Sequence, residues 1–334
     1  MAALRPVVPR LAGALLAAAL AGCAAPGWRD RAALPPTAPD RVEVADVPWI
    51  PQDELYCGPA ALATVLGWSG VTLSQAELAP AVFTPGRAGT LPPDLVSAAR
   101  RHDRMAIPVA DLPALVTELA AGHPVLVLQN LGLDWAPQWH YAVAVGYDRP
   151  AGELVLRSGR EARRQVPLAT FERTWARAGH WALAILPPDR IPASAGEATM
   201  LQAAAGLEQS GRLAAAALAY ETARGRWPAS AGALIGLANA RYGQGQLAAA
   251  EAALRAATAL HPDSAAAWNN LAHVLSERGR HEPALVAVDR ALTIGGPFTE
   301  TARTTRALIL ERSSAAAISP APPPVALAAA TAPR

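Results

Sequence analysis

Gln52-Asp53-Glu54-Leu55-Tyr56-Cys57-Gly58-Pro59-Ala60 is the stretch on which the reading of the first half of this chain turns. Pro59 suits the first turn of a helix, where its missing N–H costs nothing, and Ala60 to Leu66 continues as good helical sequence. Cys57 therefore falls at a helix N-terminus. Unpaired N–H groups and the positive end of the helix dipole favour an anion there, so the thiol should titrate below its free value of about 8.5. Gln52, five residues upstream, carries a side-chain N–H that can join the Cys57 backbone N–H as donors to a developing oxyanion. Far downstream, His140-Tyr141-Ala142-Val143-Ala144-Val145-Gly146-Tyr147-Asp148 is apolar nearly throughout, a mostly buried strand with a histidine at its start. A thiol, an imidazole and an amide donor are the residue types that acyl transfer from a thiolate needs.

Each residue also has a plainer role open to it. A solitary cysteine is commonly a small buried apolar residue, and a histidine at a strand start is commonly hydrogen-bonded at a sheet edge. His180 opens a second apolar run, His180 to Leu186, and is the other candidate base; His123 precedes Pro124 in a turn, and His102 sits in the charged cluster Arg100 to Arg104. Two cysteines and scattered histidines give no zinc-ligand spacing, and nothing suggests a cofactor.

Around these positions the pattern predicts helices at 59–67, from near Gln75, at 93–102 and at 111–121, followed by strands at 124–130, 140–147, 153–158 and 180–186, with a short helix at 168–177. Helices first and an antiparallel sheet after them is an α+β layout spanning 42–187. The loop Leu131 to Trp139, with Trp135 and Trp139 just before His140, is expected to pack over the sheet edge or to wall a substrate groove.

Gln52, Cys57-Gly58-Pro59-Ala60 and His140-Tyr141-Ala142-Val143 with Gly146-Tyr147-Asp148 together resemble the C39-like cysteine peptidases, a papain-like group. The resemblance implies a nucleophile at Cys57, a base at His140 and an oxyanion donor at Gln52. It also implies an Asp or Asn on the next strand to orient the histidine, and the corresponding stretch here is Leu154-Val155-Leu156-Arg157-Ser158-Gly159. Ser158 takes that place; it can accept a hydrogen bond from the imidazole but does not stabilise imidazolium as a carboxylate does. Asp148 ends the same strand as His140, about 25 Å away. Arg157 reads as an exposed cation on an edge strand, or as a group holding a substrate carboxylate.

Residues 1–22 read as a lipoprotein signal peptide: Arg5 and Arg10, an apolar run from Leu11 to Ala21, and Leu20-Ala21-Gly22-Cys23. The run is too short to cross a bilayer, and the tetrapeptide resembles a bacterial lipobox, which implies lipidation of Cys23. The expected location is the cell envelope, membrane-anchored through that lipid and facing the periplasm, with Ala24 favouring the outer membrane. Cys57 is then the one free thiol in an oxidising compartment. Residues 23–41, rich in proline, read as a flexible tether. A formal net charge of +2 and the lack of a basic tract exclude nucleic acid as an expected partner.

After a linker at 188–196 the chain becomes alanine-rich helix. Gly211, Gly245 and Gly279 recur every 34 residues, as do Ala216, Ala250 and Ala284, and Ala223, Ala257 and Ala291, with Pro228 and Pro262 closing successive units. This period and Trp268-Asn269-Asn270-Leu271-Ala272 resemble the tetratricopeptide repeat. The resemblance implies an all-α domain over 197–312 with a groove for a peptide or protein partner. Residues 313–334 carry little bulky apolar surface and are expected to be disordered. Two functions follow: a thiol-dependent peptidase whose repeats recruit a protein, or a peptide-binding adaptor built on the peptidase fold.

Overall fold

The structure is a computed structural model that describes residues 38–318 apart from 54 and 88. The signal segment, Cys23, most of the tether and residues 319–334 lie outside the described residues. The chain divides into two compact units at Ser210/Gly211.

The first unit is α+β. Its helices are α1 (Cys57–Trp68), α2 (Gln75–Val82), α3 (Pro92–Arg101), α4 (Leu112–Ala120), α5 (Leu168–Ala176) and α6 (Glu197–Gln209). Its strands are β1 (Arg41–Glu43), β2 (Phe83–Thr84), β3 (Gly89–Thr90), β4 (Met105–Pro108), β5 (Val125–Asn130), β6 (Trp139–Asp148), β7 (Glu153–Ser158), β8 (Glu161–Pro167) and β9 (Ala182–Leu186). Six strands follow the order β4-β9-β5-β6-β7-β8, β1 pairs with β6, and every pairing is antiparallel. β5, β6 and β9 are apolar almost throughout because both faces are covered: α1, α4 and α5 pack on the central strands. β2 and β3 form a separate two-stranded hairpin joined by a 3₁₀ turn, Pro85–Arg87.

Local sequence explains the helix boundaries. α2 starts at a capping box in which the Ser74 hydroxyl accepts from the Glu77 N–H and Glu77 reaches back to Ser74. α4 is capped by Asp111, whose carboxylate accepts from the Ala114 N–H. α1 has no side-chain cap, so its first N–H groups stay open.

Three expectations are corrected. The strand expected from His180 begins at Ala182, and His180 sits in the preceding turn at φ 54°. Arg157 is not on an edge strand: β8 covers β7, and the Arg157 side chain, only 16% exposed, is tied to Glu43 and donates to the Ala162 carbonyl. Strands β1, β2, β3, β4 and β8 were not predicted at all. The segment after β9 is held to the unit, since Ser194 donates its N–H and hydroxyl to the buried Glu118, whose other oxygen faces His123 Nδ1 at 2.6 Å. α6 then packs on β4 through Met200, Ala203 and Leu207.

The second unit is a run of helices: α7 (Leu213–Arg226), α8 (Ala231–Gly243), α9 (Leu247–Leu260), α10 (Ala265–Glu277), α11 (His281–Ile294) and α12 (Thr299–Ile318). The period seen in the sequence has a cause for each column. Gly211, Gly245 and Gly279 all have φ near +72°, the left-handed residue that lets one helix stop and the next turn back. The six recurring alanines are fully buried, where two helices approach too closely for a larger side chain. Ser230 and Ser264, again 34 apart, cap α8 and α10 through the Ala233 and Ala267 N–H groups. Buried Glu251 on α9 gathers Arg255, Arg278 and Arg280, fixing the α10–α11 turn to its neighbour. No helix among the described residues is long and apolar enough to cross a membrane.

Candidate active site

α1 begins at Cys57 itself, so the thiol stands at the helix N-terminus with unpaired backbone N–H groups beside it. Cys57 is half-buried and is the free cysteine among the described residues. Two adjoining strands deliver the imidazole and its partner: His140 near the start of β6, Ser158 at the end of β7, with His140 Nε2 and Ser158 Oγ 2.9 Å apart. The other ring nitrogen of His140 has no hydrogen-bond partner. In the tautomer that donates from Nε2 to Ser158, Nδ1 carries a free lone pair, the state a general base requires.

Gln52, Cys57 and His140 line one cleft of about 730 Å³, together with Leu55, Trp139 and Tyr141. The expected site residues are thus brought together, with Ser158 one hydrogen bond behind His140. The Gln52 backbone N–H donates to the Gly159 carbonyl at 3.1 Å, anchoring this residue beside the turn that carries Ser158. Its side-chain Oε1 is buried without a partner, and no hydrogen bond engages its Nε2, so the amide donor is uncommitted. Trp139 lines the cleft as a wall, whereas Trp135, 83% exposed, does not.

The electrostatics run opposite to a carboxylate-supported site. Burial first, and then the nearby Arg164 guanidinium, hold His140 below the usual imidazole range. The ring is therefore neutral at pH 7. Burial, followed by the Cys57 and Asp94 charges, pushes the Tyr141 hydroxyl well above its ordinary range, so it stays a protonated donor to the Thr90 carbonyl at 3.2 Å. No group of three or more metal-ligating side chains gathers among the described residues.

Two features of the site escaped the sequence reading. The loop Pro51–Tyr56 is clamped by Gln75 at the start of α2: its Nε2 donates to the Pro51 carbonyl at 3.1 Å and to Asp53 Oδ2 at 2.8 Å, and its Oε1 accepts from the Asp53 N–H at 3.1 Å. The β2–β3 hairpin is the second. It leans on the start of α1, where Gly58 leaves room for Thr90; a β-carbon at 58 would stand 2.5 Å from Thr90 Cβ. The alternative base, His180, does not line the cleft; its Nε2 lies 2.9 Å from Glu172 Oε1 and its ring stands edge-on to Trp175.

Residues 44–183 match the model of the Peptidase_C39 like family, and residues 241–296 match that of the tetratricopeptide repeat. The first unit carries a C39-like peptidase domain. A tetratricopeptide-repeat array follows it. Among solved structures the chain is similar to a Bacillus anthracis protein described as a C39-like peptidase, at 20% identity and TM-score 0.39, covering 44% of this chain and 97% of that one. It is also similar to the Yersinia enterocolitica type III secretion chaperone SycD in complex with a peptide of the translocator YopD, at 15% identity and TM-score 0.32, covering 36% and 90%. No curated protein matches the chain.

The repeat array has a groove of its own, about 610 Å³, lined by Asn239, Tyr242, Asn270 and His273 and by Thr301 and Thr304 of α12. Asn270 Nδ2 donates to Asn239 Oδ1 at 3.2 Å across successive repeats, and the Tyr242 hydroxyl lies 3.0 Å from His273 Nε2.

Proposed function

We propose that the C39-like domain hydrolyses peptide bonds through Cys57. The observation that carries this reading is the shared cleft, in which the thiol at a helix N-terminus, the uncommitted Gln52 amide and the ring of His140 line one wall-bounded space. His140 Nδ1 takes the thiol proton as Cys57 Sγ bonds to the substrate carbonyl carbon. The oxygen that becomes negative is held by the Gln52 amide and the Cys57 N–H. Collapse of the tetrahedral species breaks the C–N bond, and His140 returns the proton to the leaving amine. Water, deprotonated by His140, then cleaves the thioester and frees the acid and the thiol.

In this reading Cys23 is lipidated, the chain is anchored at the bacterial envelope facing the periplasm, and the repeat groove recruits a peptide or protein partner. The Asn239–Asn270 pair supports a polar, extended ligand there. Hydrolysis of casein or of a fluorogenic peptide library by the full chain, abolished in Cys57→Ala, is the expected result. Iodoacetamide should also tag Cys57 faster than glutathione at matched pH.

A second reading rests on Ser158 and Arg164 occupying the surroundings where a carboxylate would support imidazolium. On that reading the cleft binds peptide without turnover and the chain is an adaptor. Capture of the same peptides by the parent and by Cys57→Ala, with no cleavage by either, selects it.

A further inference from the structure

We infer that the cleft selects peptides carrying a carboxylate, and that Arg87 is the residue that reads it. This rests on the reading of the Cys57 cleft as the place where peptide is held, and it applies whether or not turnover follows. Among the described residues Arg87 is the one charged side chain lining the cleft; the rest of the lining is apolar or neutral. Arg87 is exposed and makes no hydrogen bond or ion pair. Several other arginines of this unit are occupied: Arg157 and Arg163 are held by Glu43, Arg164 by Glu161 at 3.5 Å, and Arg101 donates to the Ala81 carbonyl.

Arg87 is also positioned, although its side chain is free. It ends the turn of the β2–β3 hairpin, and that hairpin is held at three points beside the thiol. Thr90 seats against Gly58, Tyr141 donates to the Thr90 carbonyl, and the Phe83 and Tyr56 rings meet edge-on at 5.3 Å. The guanidinium thus leaves a fixed base in a space bounded by Leu91 and Trp139. A fork of N–H donors facing a partly apolar cleft matches a carboxylate, because two parallel charge-assisted bonds form where few waters compete. The neighbouring field has the same sign: Arg164 is close enough to His140 to disfavour its protonation. No carboxylate lines the cleft among the described residues: Asp53 is engaged by Gln75, and Asp94, which acts on the Tyr141 hydroxyl, lies outside the lining.

Fluorescence anisotropy on the full chain carrying Cys57→Ala tests this without requiring turnover. Matched fluorescent peptides would differ at one group. One pair has an internal Glu or Gln with an amidated C-terminus; the other has a free or an amidated C-terminus and no acidic side chain. At least one pair should show binding about tenfold tighter for the acid, a charge-assisted contact's worth, and the pair that does so distinguishes a side-chain carboxylate from a terminal one. Arg87→Gln should collapse that ratio to about one, Arg87→Glu should invert it, and Arg160→Gln, in the turn between β7 and β8, should leave it intact. Equal affinities in both pairs, no measurable binding of any acidic peptide, or a preference that survives Arg87→Gln overturns the inference. Cys57-dependent cleavage with no acid preference leaves the peptidase reading standing and removes this one; acid preference without cleavage does the reverse.

Discussion

His140 Nε2 meets the hydroxyl of Ser158 at 2.9 Å, across two adjacent antiparallel strands. The imidazole is thereby oriented by a neutral group. A hydroxyl fixes the tautomer but contributes little once the ring becomes charged, which a carboxylate would favour strongly. Ser158→Asp is expected to raise the His140 titration midpoint and to speed alkylation of Cys57, because a protonated ring beside the thiol stabilises thiolate. Ser158→Ala should cut kcat/KM about tenfold with KM nearly unchanged. A ¹⁵N-resolved histidine titration together with iodoacetamide kinetics checks both variants.

The lowered titration of His140 has a consequence with a definite sign. The folded chain binds the proton less readily than the unfolded chain, whose histidine titrates near 6.5. As pH falls through 6.5 the unfolded state gains protons first, so this group's contribution to stability declines on the acid side and is restored above 6.5. For activity the same shift keeps the base form populated below pH 6.5. The acid limb of kcat/KM should therefore lie below 6.5, and Arg164→Gln, which removes the second cause, should move it upward. An acid limb above 7 would count against His140 as the base.

Gly58 is constrained by what it faces. Gly58→Ala puts a methyl into the Thr90 side chain at the helix start, and overpacking of this kind costs about 1–3 kcal/mol. The thermal midpoint should drop by several degrees, and Cys57 alkylation should slow because the α1 N-terminus is displaced. Thr90→Gly in the same chain removes the obstructing atoms. A double-mutant cycle should show a positive coupling between the two substitutions.

Gln75 acts through the loop it holds. Gln75→Ala deletes three hydrogen bonds to Pro51 and Asp53, all on an exposed loop, so the stability cost should stay within about 1 kcal/mol. The Gln52 amide loses its fixed origin, and kcat should fall about tenfold with little change in KM. Gln75→Glu retains the acceptor for the Asp53 N–H but cannot donate, so it should fail to rescue kcat. An unchanged kcat in both variants would show that the loop is held adequately without Gln75.

Much of this was legible in the sequence where the signal was local or periodic. Pro59 and the alanines after it marked the start of α1, and the apolar runs of β5, β6 and β7 marked strands buried on both faces. The repeat was legible because the fold makes the same steric demand every 34 residues, at Gly245 as at Gly211 and Gly279. What stayed hidden depended on tertiary partners. β8 is exposed along nearly its whole length, so Glu161 to Pro167 shows no alternation and is a strand only because β7 offers it a ladder. β4 is four residues long and ends in Pro108, which reads as a turn until β9 is seen beside it. Gln75 and Arg87 belong to no motif; their roles come from elements that meet in space. His180 looked like a strand residue because the apolar run begins directly after it, while its left-handed backbone was invisible.

The β2–β3 hairpin is seated on the nucleophile helix through Thr90 and Phe83, whereas Pro85, Gly86 and Arg87 of its turn are exposed, and a β-carbon at Gly86 would meet nothing within 4 Å. On the proposed reading, changes at Pro85, Gly86 and Arg87 alter which peptides the cleft admits while Thr90 and Phe83 keep the hairpin on the nucleophile helix. Substrate choice and bond-breaking would then answer to different residues of one cleft, so that relatives of this architecture could change the first and keep the second.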